Sequence, residues 1–179
     1  MANHPDFAAP WCQTLLSDPN LQWAEELTSV FADRSVTNSM FNTTLNTSHA
    51  IKARLFFRRP SPEPDAAVQR EESCMLLSVG DGVDGKAGRA HGGFNALILD
   101  QVTGVCAHHA APGANPPATA TMTVDYKAPI STPGVILARA WATEHTGRKI
   151  WCRAVIEDGE GKVLASGKAL FICPRPSAL

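Results

Sequence analysis

A chain of 179 residues has room for one domain with a sizeable core and one extension. Its 16 basic and 17 acidic side chains leave a formal charge of −1, which excludes the broad positive field that nucleic acid or an anionic membrane would need. Cys12, Cys74, Cys106, Cys152 and Cys173 are odd in number, widely spaced and free of any C-x-x-C pair, so neither a disulfide framework nor a zinc site is expected and no metal is implied. The opening MANHPDFAAPWCQ lacks a basic start and an apolar run, and no stretch approaches the roughly 20 apolar residues of a membrane span. The expected location is therefore cytoplasmic.

Residues 1–18, with Pro5 and Pro10 and few periodic apolar positions, read as an extended lead-in. Asp18 before Pro19, followed by Leu21, Trp23, Leu27, Val30 and Phe31, predicts a helix over about 19–32 with Asp18 as its N-cap. Residues 1–38 are thus taken as an N-terminal extension and 39–179 as the main domain. Met40 to Leu45 and Ala50 to Phe57 mix β-branched and aromatic residues with polar ones and read as one or two strands. RRPSPEPDAAVQREE is an exposed loop, Cys74 to Val79 a short apolar strand, and GDGVDGKAGRA a second loop. HGGFNALILDQVTGVCAHHA, residues 91–110, is the long apolar stretch with helical spacing; apolar on several sides, it predicts a buried helix. Strand-like segments follow at 118–128, 134–145, 149–158 and 163–173, the last three separated by hairpin signals at Thr146-Gly147-Arg148 and Asp158-Gly159-Glu160-Gly161. The expected class is α+β, an antiparallel sheet wrapped around one long central helix.

This layout, with His91-Gly92-Gly93 and then Asp100 at the head of the helix, resembles the hotdog-fold acyl-CoA thioesterases of the phenylacetate-pathway type, whose signature is HGG-x6-D. The wording of residues 91–110 is similar to that of the eukaryotic thioesterase superfamily members, as is ATMTVDYKAPI downstream. The resemblance covers about residues 70–173. It implies a homodimer, with a tetramer as the further state, and hydrolysis of an acyl thioester. Acyl-CoA is the first substrate class and a chain carried on an acyl carrier protein the second. No cofactor is implied, coenzyme A being part of the substrate. A non-catalytic acyl-binding module is the competing reading.

Thioester hydrolysis needs a base or nucleophile and donors aimed at the developing oxyanion. Asp100 sits in an otherwise apolar window, where an acid must be paired or used; it is either the catalytic carboxylate or a buried acid bonded to backbone or a nearby hydroxyl. The resemblance implies the former, as general base toward water or as nucleophile. Gly92 and Gly93 stand where a helix leaves its first N–H groups unpaired, so they serve as an oxyanion hole or simply permit a tight turn. Nine residues separate His91 from Asp100, about 13 Å of helix. If both ends act on one thioester, they come from different subunits, which makes the dimer part of the mechanism.

Thr119 falls where the family carries a Ser or Thr that assists the carboxylate, although Thr119, Thr121 and Thr123 also alternate as ordinary strand threonines. His91 and Asn95 are candidate polar contacts to substrate, although His91 could instead cap the helix and Asn95 could equally be a satisfied core amide; Phe94 is expected to help set pocket depth. The family's polar residue before His-Gly-Gly has no Asn counterpart here, leaving Asp84, Lys86 or Arg89 to stand in its place. Lys52, Arg54, Arg58, Arg59, Arg89, Lys127, Arg148 and Lys149 are candidates for the phosphates of coenzyme A. Adjacent His108 and His109 point about 100° apart on a helix and suit its C-terminal end better than a metal.

Overall fold

Along the strand Ile51–Pro60, buried and half-buried residues alternate, the period-2 signature of a strand whose two faces meet different surroundings. Its neighbour Glu71–Val79 is buried from Glu72 onward, because something covers each of its faces. The computed structural model describes residues 4–23, 38–62, 66–112 and 116–175. It identifies the covers as a long helix on one face and an N-terminal strap on the other.

In chain order the elements are helix α1 (Pro10–Leu16), strands β1 (Gln22–Trp23), β2 (Ile51–Pro60), β3 (Glu71–Val79), β4 (Asp84–Lys86) and β5 (Arg89–Ala90), helix α2 (Gly92–Ala110), then β6 (Ala118–Tyr126), β7 (Gly134–Thr146), β8 (Lys149–Glu157) and β9 (Val163–Ile172). Seven strands form one sheet in the order β1-β2-β3-β7-β8-β9-β6, antiparallel at every pairing. β4 and β5 make a small hairpin just ahead of α2. The predicted helix at 91–110 and the four strands after it stand within a few residues of their expected bounds. The class is α+β, with the sheet curled around α2.

Two apolar clusters lie on opposite faces of this sheet. The inner one joins Ile98, Leu99, Val102 and Cys106 of α2 to Met75, Leu77, Ala138, Ile156 and Phe171 of the sheet. The outer one joins Phe7 and Cys12 of the strap to Ala53, Leu55, Phe57, Cys74, Leu76 and Leu137. Phe7 is fully buried there, a contribution of about 2–3 kcal/mol by area. Asp6 fastens the strap by accepting from Ser78 Oγ and pairing with Lys52. Trp11 presses on the β8–β9 turn so closely that a Cβ on Gly159 would stand 2.4 Å from its indole nitrogen. β1 then pairs with β2 at Phe57 and Arg58.

The strap overturns the reading of residues 1–18 as extended. Pro5 and Pro10 each open a helical segment, the 3-10 turn Pro5–Ala8 and α1, because proline's fixed φ suits the first helical position. The helix predicted to start at 19 does not start there. Asp18 Oδ1 accepts from the Asn20 N–H at 2.9 Å, an Asx turn, and the chain leaves it extended into β1. The rest of that expectation, 24–32, lies outside the described residues. Met40–Thr44, read as strand, is a single π-helical turn that buries Phe41 in the inner cluster. The Arg54 guanidinium holds the turn through the Phe41 carbonyl and Asn42 Oδ1.

Candidate active site

Helix α2 is buried along the face that carries Ile98, Leu99, Val102 and Cys106, while Gly93, Asp100 and Gly104 share a more open side. Asp100 is half-buried on that side, midway along the helix. Thr103, one turn on, spends its hydroxyl on the Leu99 and Asp100 carbonyls at 2.8 and 3.0 Å, so it does not serve the carboxylate. Thr119 does: its hydroxyl donates to Asp100 Oδ1 at 2.9 Å. Among the described residues no hydrogen bond occupies Oδ2.

A β-bulge makes that contact. Thr119 is opposite Phe171, which is buried on the inner face, yet Thr121 is opposite Leu170 on the outer face. The register shifts between Thr119 and Thr121, so the extra residue turns Thr119 toward α2 while Thr121 and Thr123 face away. The expected alternation of all three threonines on one face is therefore broken at the position that reaches Asp100.

The helix N-terminus can be accounted for donor by donor. His91 is the N-cap, an uncommon residue for the role, and its Nδ1 accepts from the Gly93 N–H at 2.8 Å. The Phe94 and Asn95 N–H groups both donate to the His91 carbonyl, at 3.0 and 3.1 Å. Of the first four N–H groups only that of Gly92 has no partner among the described residues. Between the two glycines, then, it is Gly92 whose amide is open to a ligand.

Tyr126, at the end of β6, was not singled out by sequence. Its ring carbon would lie 3.4 Å from a Cβ on Gly92, and its hydroxyl donates to the Gly92 carbonyl at 3.1 Å. In the sequence Tyr126 stands within the family-like segment ATMTVDYKAPI, but nothing there says which backbone the phenol meets.

The other candidates scatter. Asn95 is 5% exposed with Oδ1 unpartnered, and it lies ~140° around the helix from Asp100. It faces the side of Ile98 and Val102, so it is not brought together with the carboxylate. Phe94 is buried in the inner cluster, to which Phe41 also belongs. Arg89 is exposed on β5, bridged through its backbone to Ser131. Asp84 is committed to structure, accepting from the Gly88 N–H at 2.8 Å and from the Thr132 hydroxyl.

Several candidate phosphate cations have other work. Lys52 holds Asp6, Arg54 holds the Phe41 turn, Arg58 contacts His109 and Glu71, and Arg59 contacts Glu72 at 2.7 Å. Arg148 Nε donates to the Cys173 carbonyl at 2.8 Å. Arg89, Lys127 and Lys149 are exposed. His109 ends α2 against Arg58 and Glu71, and burial, with the Arg58 charge second, holds its pKa below the usual histidine value. No helix among the described residues is long and apolar enough to cross a membrane.

Residues 87–165 match the profile of the thioesterase superfamily. The acyl-coenzyme A thioesterase THEM4 of Xenopus laevis is 33% identical over 109 residues, which is 59% of this chain and 47% of that protein. THEM4 of Rattus norvegicus is 32% identical over 98 residues, 54% of this chain and 41% of that one. The chain thus spans less than half the length of these curated relatives. Zebra fish thioesterase superfamily member 2 superposes with a TM-score of 0.54 at 18% identity, over 57% of this chain and 75% of its own. At that identity the superposition speaks for the fold, which is the hotdog fold.

Proposed function

We propose, from a chain that carries a hotdog-fold domain of the thioesterase superfamily, that this protein hydrolyses an acyl thioester to a free acid and a thiol. The observation that carries the reading is the Thr119–Asp100 pair. A carboxylate with one oxygen fixed by a hydroxyl at 2.9 Å and the other unoccupied is oriented toward whatever enters the open side of α2. Oδ2 then takes a proton from water as the water attacks the carbonyl carbon, or attacks that carbon itself and is later released by water. The C–S bond breaks, and the leaving sulfur departs as a thiolate that takes up a proton.

The developing oxyanion needs a donor that is not already spent, and the Gly92 N–H, at the positive end of α2, fits. Gly92 and Asp100 are eight residues apart, about 12 Å along the axis, so one thioester carbonyl cannot sit against both within a single chain. The reading therefore pairs Asp100 of one subunit with Gly92 of another in a homodimer. The exposed strand β6, at the free edge of the sheet and beside both groups, supports such a pairing. An acyl-CoA is the substrate class, with the exposed Arg89 and Lys127, close in sequence to α2 and β6, and the exposed Lys149 as candidate phosphate contacts. No cofactor enters the chemistry, and five free thiols are consistent with a cytoplasmic setting.

The test is thiol release from a panel of acyl-CoAs, short to long aliphatic and aromatic, by wild type and Asp100→Asn. Turnover by wild type that falls at least a hundredfold in the variant, with dimer and fold retained, is the expected result. Full turnover in Asp100→Asn refutes the assignment. No turnover by wild type on any member moves the substrate to a carrier-bound acyl chain, or the protein to acyl binding without hydrolysis.

A further inference from the structure

We infer that Tyr126 is a positioning residue for the oxyanion amide, acting by clamping the Gly92–Gly93 peptide together with His91. This rests on the hydrolytic reading above. Two successive glycines are the freest stretch of backbone a chain can offer, and an oxyanion donor must be held still to be of use. The planar peptide between Gly92 and Gly93 is gripped at both ends. Its N–H donates to His91 Nδ1 at 2.8 Å, and its carbonyl accepts from the Tyr126 hydroxyl at 3.1 Å. With that plane fixed, Gly92 keeps little freedom, and the direction of its own N–H is set.

The placement of Tyr126 is otherwise hard to account for. At 58% exposure it contributes little to either core, and it is among the few large apolar side chains left exposed. Its phenol instead spans from the edge strand to the helix start, with the ring against Gly92 and the hydroxyl on the Gly92 carbonyl. Exposure in the free chain weakens such a bond through competition with water. A thioester seated against Gly92 would cover it and restore its strength.

The experiment measures kcat and KM of Tyr126→Phe on the best substrate of the acyl-CoA panel, alongside Asp100→Asn, with hydrogen exchange of the Gly92 amide followed by NMR. Phenylalanine keeps the ring and removes only the hydroxyl. The expected result is a three- to tenfold fall in kcat, the worth of roughly one such hydrogen bond. KM should stay within about twofold, the melting temperature should not move, and Gly92 amide exchange should rise. A purely structural tyrosine would shift melting temperature or KM and leave kcat alone. An inactive Asp100→Asn with wild-type kcat in Tyr126→Phe overturns the role of Tyr126 and leaves the hydrolytic reading standing. Full activity in Asp100→Asn removes the premise of both.

Discussion

Replacing Thr119 by valine removes one hydroxyl and nearly nothing else. The side chain keeps its shape and its strand preference, but Asp100 Oδ1 loses the 2.9 Å bond that is its one hydrogen bond among the described residues. A neutral donor to a carboxylate is worth about 1.5–3 kcal/mol when shielded, and Thr119 is exposed, so the lower end applies. At about 1.4 kcal/mol per factor of ten, kcat should fall about tenfold. Thr121→Val is the matched control. It lies two residues away on the same strand, but beyond the bulge it faces Leu170 on the outer side of the sheet, so its kcat should equal wild type. The assay is steady-state thiol release with both variants checked for unchanged melting temperature. Equal rates for Thr119→Val and wild type, in a protein that Asp100→Asn inactivates, would show that the hydroxyl does not support the carboxylate. Equal losses in both threonine variants would show that the bulge argument is wrong.

Two further predictions concern the outer face. Glu72 has a fully buried side chain bonded to Arg59 at 2.7 Å and Arg139 at 3.0 Å. Glu72→Gln takes the carboxylate from half-buried Arg59, while Arg139 keeps Glu157 at 2.8 Å, and should lower the melting temperature by about 5 °C, read by calorimetry. The hydrogen bond from Lys52, then that from Ser78, holds the Asp6 carboxyl below its ordinary value of 3.8. Because the folded pKa is the lower one, the stabilisation is complete above about pH 4 and is lost as pH falls through the folded value. Protease cleavage within residues 4–16 should therefore rise in acid, and Asp6→Asn should be cleaved readily at every pH.

What could be read from the sequence follows the physics of each segment. Helix α2 and strands β6 to β9 were legible because long periodic runs between strong breakers leave few alternatives, and Gly147 and Gly161 do take the positive φ that such turns require. The strap was not, since its packing residues, Phe7, Trp11, Cys12, Leu15 and Leu16, span a 3-10 turn and a seven-residue helix too short to show a clear period. Asp18-Pro19 satisfied the rule for a helix start, yet an Asx turn uses the same residues and won. Met40–Thr44 had strand-like composition, but burying Phe41 and capping it with Arg54 selected a helical turn. At the site, Asp100, Thr119 and the glycines were visible as a motif. The bulge that aims Thr119 was not, because register belongs to a pair of strands and cannot be read from one. The same holds for Tyr126, whose partner is backbone 34 residues away.

The surfaces of the molecule divide in a way that bears on the dimer. The outer face of β2, β3 and β7 is covered by the strap, and β2 is paired with β1 at Phe57 and Arg58. What stays unfinished is the side where β6 ends the sheet: Thr119, Thr121, Thr123, Asp125 and Tyr126 are exposed, Gly93 is exposed, and Asp100 is half-buried. A nine-residue edge strand with this much bare backbone is a standing invitation to pair, and monomeric proteins ordinarily blunt such edges. The residues assigned to chemistry lie along that same side and nowhere else among the described residues. On the proposed hydrolytic reading, a site whose two halves are about 12 Å apart on one helix, beside an exposed edge strand, calls for a two-fold assembly. In that proposal the open edge and the divided site are one problem, which a second copy of the chain paired along β6 would answer.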